Sequence, residues 1–332
     1  MENNQQRTDI LSSIFSVTAA GFDAVALEVF RYQVQYNSIY GRYVKQLNVA
    51  PDTIVTAAQI PFLPVEFFKE FKLLSGFNNA ATVFTSSGTS GTETSKHYVP
   101  DISVYETAFR KGFEKFYGAV QEYCVLALLP AYLEREGSSL IYMAADLIRR
   151  SGHGKSGFYL KHSEQLHAIL TELKERKQKT ILLGVTFALL DFAHEFPIHF
   201  PELIVMETGG MKGRKKELLR EEVHEVLRDG FGVPEVHSEY GMTELLSQAY
   251  SKGSGVFHSP QWMKILIRDT NDPFALVNYS TTGGINVIDL ANIDSCAFIA
   301  TQDLGKMYPD GSFEVLGRFD SSDVRGCNLL VI

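Results

Sequence analysis

Between residues 101 and 238, short apolar runs alternate with stretches of helical periodicity, and few folds accept that order. Asp101–Tyr117 reads as a helix with Asp101 as its N-cap, since an aspartate accepts from the free N–H groups of a first turn. Cys124–Leu129 follows as a buried strand. Next come Ser138–Arg150 (helix), Phe158–Lys161 (strand), Ser163–Arg176 (helix, capped by Ser163) and Thr180–Val185 (strand). Phe187–Glu195 (helix), Glu202–Met206 (strand), Arg214–Arg228 (helix) and Glu235–Ser238 (strand) complete the series. Such a chain is predicted to be α/β, with a mainly parallel sheet covered on both faces. From Met263 the pattern changes, and Ile265–Arg268, Ala275–Asn278, Ile285–Asp289, Ala297–Thr301 and Phe313–Gly317 read as strands joined by turns such as Pro309-Asp310-Gly311. Upstream, Leu11, Ile14, Phe15, Phe22, Val25 and Val29 recur at helical spacings within 8–48, and the tyrosines from 32 to 43 read as a packing face. Ile60–Lys69, interrupted by Pro61 and Pro64, reads as a buried connector that opens a helix near Val65. The expected division is a helical region 1–80, an α/β core 81–262, a β-rich subdomain 263–320 and a tail 321–332.

Composition narrows the partners. The net charge is −8, and no basic run or Lys/Arg stripe provides a footprint for nucleic acid. The three cysteines, Cys124, Cys296 and Cys327, are odd in number and far apart, which suits a reducing compartment better than a disulfide framework. Met1–Arg7 has no apolar signal core behind it, and the apolar runs near 125–129 and 181–190 are too short for a bilayer. A soluble, cytoplasmic protein is expected.

The chemistry begins at Thr85-Ser86-Ser87-Gly88-Thr89-Ser90-Gly91-Thr92-Glu93-Thr94-Ser95-Lys96-His97. Hydroxyls flanking glycines, after a strand and before a helix, suit a loop whose N–H groups cradle phosphate, with Lys96 adding charge. A Walker A loop would need Gly-Lys-Ser/Thr, a nucleophile elbow Gly-x-Ser-x-Gly, and a Ser-x-x-Lys pair a serine in place of Glu93; none is present. A plain Ser/Thr/Gly turn remains the alternative. Ser238–Glu244 follows a strand, and there Tyr240 could face a base, Thr243 a phosphate and Glu244 a Mg²⁺ ion; a capped helix start reads equally well. Gly209-Gly210 suits close approach of a nucleotide ring or a tight turn, and Asp303 suits ribose hydroxyls or an ordinary strand-end turn. Arg318 could reach phosphate or ribose, or form a surface ion pair. Cys327, beside Arg325 and Gly326, could be an activated thiol or a small buried residue. Two patterns are decoys. Gly152-x-Gly154-x-x-Gly157 follows a helix instead of opening one, and His194 and His199 are spaced one residue too far and separated by Pro197 for a zinc helix.

Taken in order, the loop at 85–96, Gly209-Gly210, Tyr240–Glu244, Asp303 and Gly317-Arg318-x-Asp320 resemble the core motifs of acyl-adenylate-forming enzymes. Leu27–Gln33, Ile60–Lys69, Ser138–Met143 and Arg325–Leu330 sharpen the likeness to the acyl-protein synthetase family of the LuxE type, over nearly the whole chain. That resemblance implies ATP-dependent activation of a fatty acid to acyl-AMP, transfer of the acyl group to the enzyme's own cysteine, and delivery to a partner acyl reductase. On this sequence it assigns the phosphate cradle to Ser86, Ser87, Gly88, Thr89, Gly91 and Lys96. It assigns the adenine border to Gly209, Gly210, Tyr240, Gly241 and Met242, the α-phosphate to Thr243, Mg²⁺ to Glu244, ribose to Asp303 and Arg318, and the acyl acceptor to Cys327. Relatives outside this group carry roughly 100 further residues, a small domain with a lysine that stabilises charge during adenylation. The sequence stops twelve residues after Asp320, so the loop hydroxyls, Mg²⁺ and Lys96 or His97 are expected to take a larger share, and ligation to coenzyme A becomes the less favoured outcome.

Overall fold

The computed structural model describes residues 2–86, 94–129, 137–209 and 219–319, with side chains from residue 4 onward. In chain order the first elements are α1 (Glu2–Ile14), α2 (Phe22–Tyr36), α3 (Ser38–Gln46), β1 (Leu63–Pro64), α4 (Phe67–Glu70), β2 (Thr82–Thr85) and β3 (Lys96–Val99). There follow α5 (Ile102–Tyr117), β4 (Cys124–Leu128), α6 (Ser139–Ser151), β5 (Gly157–Phe158), α7 (Ser163–Glu175), β6 (Thr180–Val185), α8 (Thr186–Glu195), β7 (Ile204–Thr208) and α9 (Arg220–Phe231). The chain continues as β8 (His237–Tyr240), β9 (Ala249–Ser251), β10 (Val256–His258), β11 (Met263–Arg268), β12 (Gly283–Asp289), β13 (Phe298–Met307) and β14 (Phe313–Arg318). These elements form two compact units, one from 1–81, 97–100 and 261–332, the other from 82–96 and 101–260.

In the second unit β5, β4, β6, β7 and β8 lie side by side, all parallel, and β9 and β10 extend the sheet antiparallel. One face of β4 and β6 (Cys124, Leu126, Leu128, Leu182) packs with Leu166 and Leu170 of α7, Leu189 and Phe192 of α8, and Leu227 and Phe231 of α9. Each such side chain contributes about 1.5–3 kcal/mol when fully buried. Opposite that face, the rings of Phe84, Tyr105, Phe109 and Tyr142 form an edge-to-face cluster between α5 and α6. Asp101 caps α5 through Ser103 N–H at 3.1 Å, as the sequence predicts. Two expectations shift here. Ser163 is the first residue of α7, and His162 occupies the N-cap position without a side-chain bond. The strand near 158 ends at Phe158, because His162 N–H closes a turn on the Tyr159 carbonyl.

In the first unit β11, β12, β13 and β14 form an antiparallel meander, and β1 adds in parallel to β13. Residues 8–48 are helical but broken, since Asn37 stops α2 and caps α3 by accepting from Ile39 and Tyr40 N–H. Gln33 is fully buried, donates to the carbonyls of Asn292, Ile293 and Ser295, and accepts from Ala297 N–H. That set ties α2 to the turn before β13, and Tyr40 and Phe30 pack their rings on Phe298. The expected strand Ala275–Asn278 is absent. Leu276 makes a single bridge to Arg268, because Asp269 Oδ1 takes the N–H groups of Asn271 and Asp272 and turns the chain.

Candidate functional site

The ends of the phosphate-loop segment are held by a reciprocal pair. Ser86 N–H donates to the Ser95 carbonyl at 3.1 Å, and Ser95 N–H donates to Ser86 Oγ at 3.0 Å. Ser86 therefore uses its hydroxyl as a clamp, and Lys96, exposed at the start of β3, follows directly. Thr85 N–H reaches the Gly137 carbonyl at 2.7 Å, which anchors the entry to the loop near the start of α6. Ser87, Gly88, Thr89 and Gly91 lie outside the described residues, as do Gly210 and Cys327.

The C-terminal ends of β7 and β8 adjoin, with Thr208 in register with Glu239. Here a parallel sheet offers its ligand crevice. Gly209 follows β7 at φ +70°, a conformation that favours glycine, and nothing stands within 4 Å of where a Cβ would project. β8 runs two residues further than its apolar pattern suggests, so Tyr240 ends the strand instead of following it. Tyr240 is 9% exposed, with its ring edge-on to Phe257 at 6.0 Å. Gly241 is exposed, Met242 and Thr243 are half-buried, and Glu244 is buried, all in a turn that Leu245 N–H closes on the Met242 carbonyl at 3.1 Å. No helix starts there, which removes the capped-helix alternative.

Two carboxyl groups beneath these turns carry no assignment from sequence. Glu207 faces α8 and α9. Thr186 Oγ1 lies 2.9 Å from its Oε2 and 2.5 Å from the Gly209 carbonyl, and His224 Nε2 lies 3.7 Å from its Oε1. Burial pushes the Glu207 carboxyl up, but the His224 bond, the Arg220 charge and the bonds from Ser238 and Thr186 outweigh it and hold the group below its usual range. Glu239 faces the other way, toward α5, and Thr208 donates its hydroxyl hydrogen to Glu239 Oε2. Burial, reinforced by the Glu207 charge and only partly offset by Thr208, pushes the Glu239 carboxyl up to about 7. On the same face His237 is held down to about 4 by burial and by Lys252, and its Nδ1 lies 3.1 Å from the Tyr117 hydroxyl. The one available signal was an acidic residue inside a strand otherwise buried on both faces.

In the first unit Asp303 and Arg318 face each other across β13 and β14, with Arg318 Nε 3.3 Å from Asp303 Oδ1. Asp303 lies inside the long strand β13, not at a strand end, because pairing with β14 continues to Met307. The Arg318 side chain is 66% exposed, so the pair contributes little to stability.

These residues are chemically suited to a nucleotide and Mg²⁺. Glycine leaves open space at one strand end, and the half-buried Thr243 and buried Glu244 stand on the turn after the adjoining strand. No group of three or more His, Cys, Asp or Glu among the described residues could hold a metal ion. Magnesium would be held by Glu244 together with substrate phosphates, its usual mode of binding. A cavity of about 460 Å³ lies toward the opposite end of β8, lined by Glu235, Tyr250, Lys252 and His258 among others, and none of the assigned residues lines it. No helix among the described residues is long and apolar enough to cross a membrane.

No protein-family model and no curated protein matches the sequence. Solved structures do. An open conformation of 2-hydroxyisobutyryl-CoA ligase in complex with 2-HIB-AMP and CoA superposes with a TM-score of 0.64 at 14% identity, covering 93% of this chain and 78% of that one. The same ligase in its thioesterification state gives 0.65 at 13% identity, covering 93% and 71%. ATP-bound MatB from Rhodopseudomonas palustris gives 0.53 at 17% identity, covering 72% and 48%. The chain thus spans about half the length of MatB. Its fold is that of the N-terminal domains of adenylate-forming acid ligases.

Proposed function

We propose that this protein activates a carboxylic acid with ATP, forming acyl-AMP and pyrophosphate, in the manner of an acyl-protein synthetase. The observation that carries the reading is the pair of glycine-containing turns, at Gly209 and at Tyr240–Glu244, on adjoining parallel strand ends of a fold shared with acid ligases. In the reaction a carboxylate oxygen of the substrate bonds to the α-phosphorus, the bond to the bridging oxygen breaks, and pyrophosphate leaves with its charge. Lys96 and the loop hydroxyls (Ser86, Ser87, Thr89) are assigned the departing phosphates. Thr243 donates to the α-phosphate. Gly209, Gly210, Tyr240, Gly241 and Met242 border the base, and Asp303 and Arg318 hold the ribose. Magnesium, when bound at Glu244, neutralises phosphate charge. Displacement at phosphorus is largely a matter of positioning and charge, which such groups supply.

In the second step the Cys327 thiolate attacks the acyl carbonyl, AMP leaves, and a thioester remains for transfer to a reductase partner. The fatty-acid specificity and a cytoplasmic setting belong to the same proposal. Cys124 and Cys296 are buried with thiols pushed up to about 11 and about 12, chiefly by burial, so neither competes as a nucleophile.

The test is acid-dependent ATP–pyrophosphate exchange across a panel of fatty and aromatic acids, followed by intact-mass measurement. Exchange with a hydroxylamine-labile mass gain, absent in Cys327→Ala, is expected; exchange without the gain sinks the self-acylation step. Lys96→Ala should abolish exchange while leaving the circular dichroism spectrum unchanged. The likeness to a CoA-bound ligase over 93% of the chain favours a second reading, an acid:CoA ligase. Acyl-CoA formation with CoA present would select it.

A further inference from the structure

We propose that Glu239 is a positioning residue for the Tyr240–Glu244 turn, its carboxyl group bracing Gly241 from the side of the sheet opposite Tyr240. The inference rests on the activity proposed above. Side chains alternate along a strand, so Tyr240 and Glu239 leave β8 on opposite faces. Glu239 is 7% exposed. Oε2 accepts from Thr208 on β7. Oε1 occupies the place a Cβ on residue 241 would need, so only glycine lets the turn settle on the carboxyl. Gln248 approaches the same point from beyond β9, with its Cγ 3.4 Å away. Its Oε1 is buried without a hydrogen-bond partner, and so is the hydroxyl of Tyr250, which is paired with Glu239 across β8 and β9. The turn thus rests on a polar layer whose central member is one carboxyl.

The protonation state of that carboxyl sets how the layer behaves. The titratable groups around Glu239 are Glu207, whose charge acts from the opposite face of β7, Tyr105 and Tyr117 from α5, Tyr250 from β9, and His237 on its own strand. His237 is held neutral near neutrality and Glu207 is ionised, so no cation compensates a charge on Glu239. Below about 7 the group is neutral, with Oε1 at the place a Cβ on Gly241 would need. Above that, a buried negative charge appears beneath the turn that carries Thr243 and Glu244, and the turn must loosen to let water in.

The experiment compares wild type, Glu239→Gln and Glu239→Ala in acid-dependent ATP–pyrophosphate exchange from pH 6 to pH 9, with melting temperature as the control for folding. Wild-type kcat should fall roughly 25-fold between pH 6.5 and 8.5, as a group titrating near 7 requires. Glu239→Ala should lose activity at every pH, chiefly in kcat. Glu239→Gln, which keeps a neutral hydrogen-bonding group, should restore exchange and abolish the alkaline fall. An unchanged alkaline fall in Glu239→Gln, or wild-type exchange in Glu239→Ala, overturns the proposal. If the wild type exchanges with no acid, the proposed activity fails. Glu239 is then read from calorimetric titration with AMP, whose affinity should fall above pH 7 in the wild type but not in Glu239→Gln. Equal pH dependence in the two proteins, or no AMP binding, overturns the positioning role.

Discussion

His237 and Glu239 leave β8 on the same face, and each is neutral where it would be charged in water. Their effects on stability have opposite sign. His237 falls from 6.5 to about 4 on folding, so its contribution is present above pH 6.5 and is lost as pH falls toward 4. Glu239 rises from 4.5 to about 7, so its contribution is present below pH 4.5 and is lost as pH rises toward 7. Each shift amounts to about 3 kcal/mol. Between pH 4.5 and 6.5 the slopes cancel, and this pair leaves the folded state indifferent to acid. Glu239→Gln removes one slope, so its stability relative to wild type should rise by roughly 3 kcal/mol from pH 4.5 to 6.5. Urea midpoints at the two pH values check this, and parallel behaviour of the two proteins would show that Glu239 titrates as if exposed. Glu207 acts outside that window. Held below its ordinary value, it gives stability that is lost only as pH falls beneath about 4.5.

At the level of elements, one substitution should have opposite signs at two glycines. A Cβ on Gly305 would run into the Glu314 carbonyl oxygen and stand 2.7 Å from Ile285 Cδ1, where the β13–β14 register shifts. Gly305→Ala should lose about 1–3 kcal/mol and push β14, with Arg318, away from Asp303. On α5, Gly112 has nothing within 4 Å of the Cβ position, and Gly112→Ala should gain about 0.5–1 kcal/mol in the same urea titration. The strands β4 and β6 were legible because a strand buried on both faces is a near-continuous apolar run. Ala275–Asn278 imitated one, yet Phe274, Leu276 and Tyr279 are exposed, since periodicity records residue types and not their partners. Glu207 and Glu239 escaped for the converse reason. An acid in a strand reads as solvent-facing until Thr186, Thr208 and His224 arrive from distant positions to make its burial tolerable.

Over the whole molecule the net charge of −8 opposes the arrival of an anionic nucleotide. The Debye length falls from about 30 Å at 0.01 M salt to about 8 Å at 0.15 M. Stopped-flow association of MgATP should therefore speed up a few-fold over that range. A slowing would mean that the positive charge around Lys96 governs the approach. The α/β class was legible at this scale, because strand and helix patterns alternate from 101 to 238. What the sequence could not display is that residues 1–81 and the strands after 261 belong to one compact unit, a fact carried by contacts such as Gln33 with Asn292, Ile293 and Ser295.

The Ser86–Ser95 clamp holds the two ends of the loop segment to each other. Polymer statistics then separate stability from function. The entropy of closing a ring grows with the logarithm of its length, so doubling it costs only about 0.6 kcal/mol. The geometry of donors along the ring has no such tolerance. Two extra residues inserted between Gly88 and Gly91 should leave the melting temperature almost unmoved while exchange disappears. Ser86→Ala, which removes one of the two clamp bonds, should weaken nucleotide binding without shortening or lengthening anything.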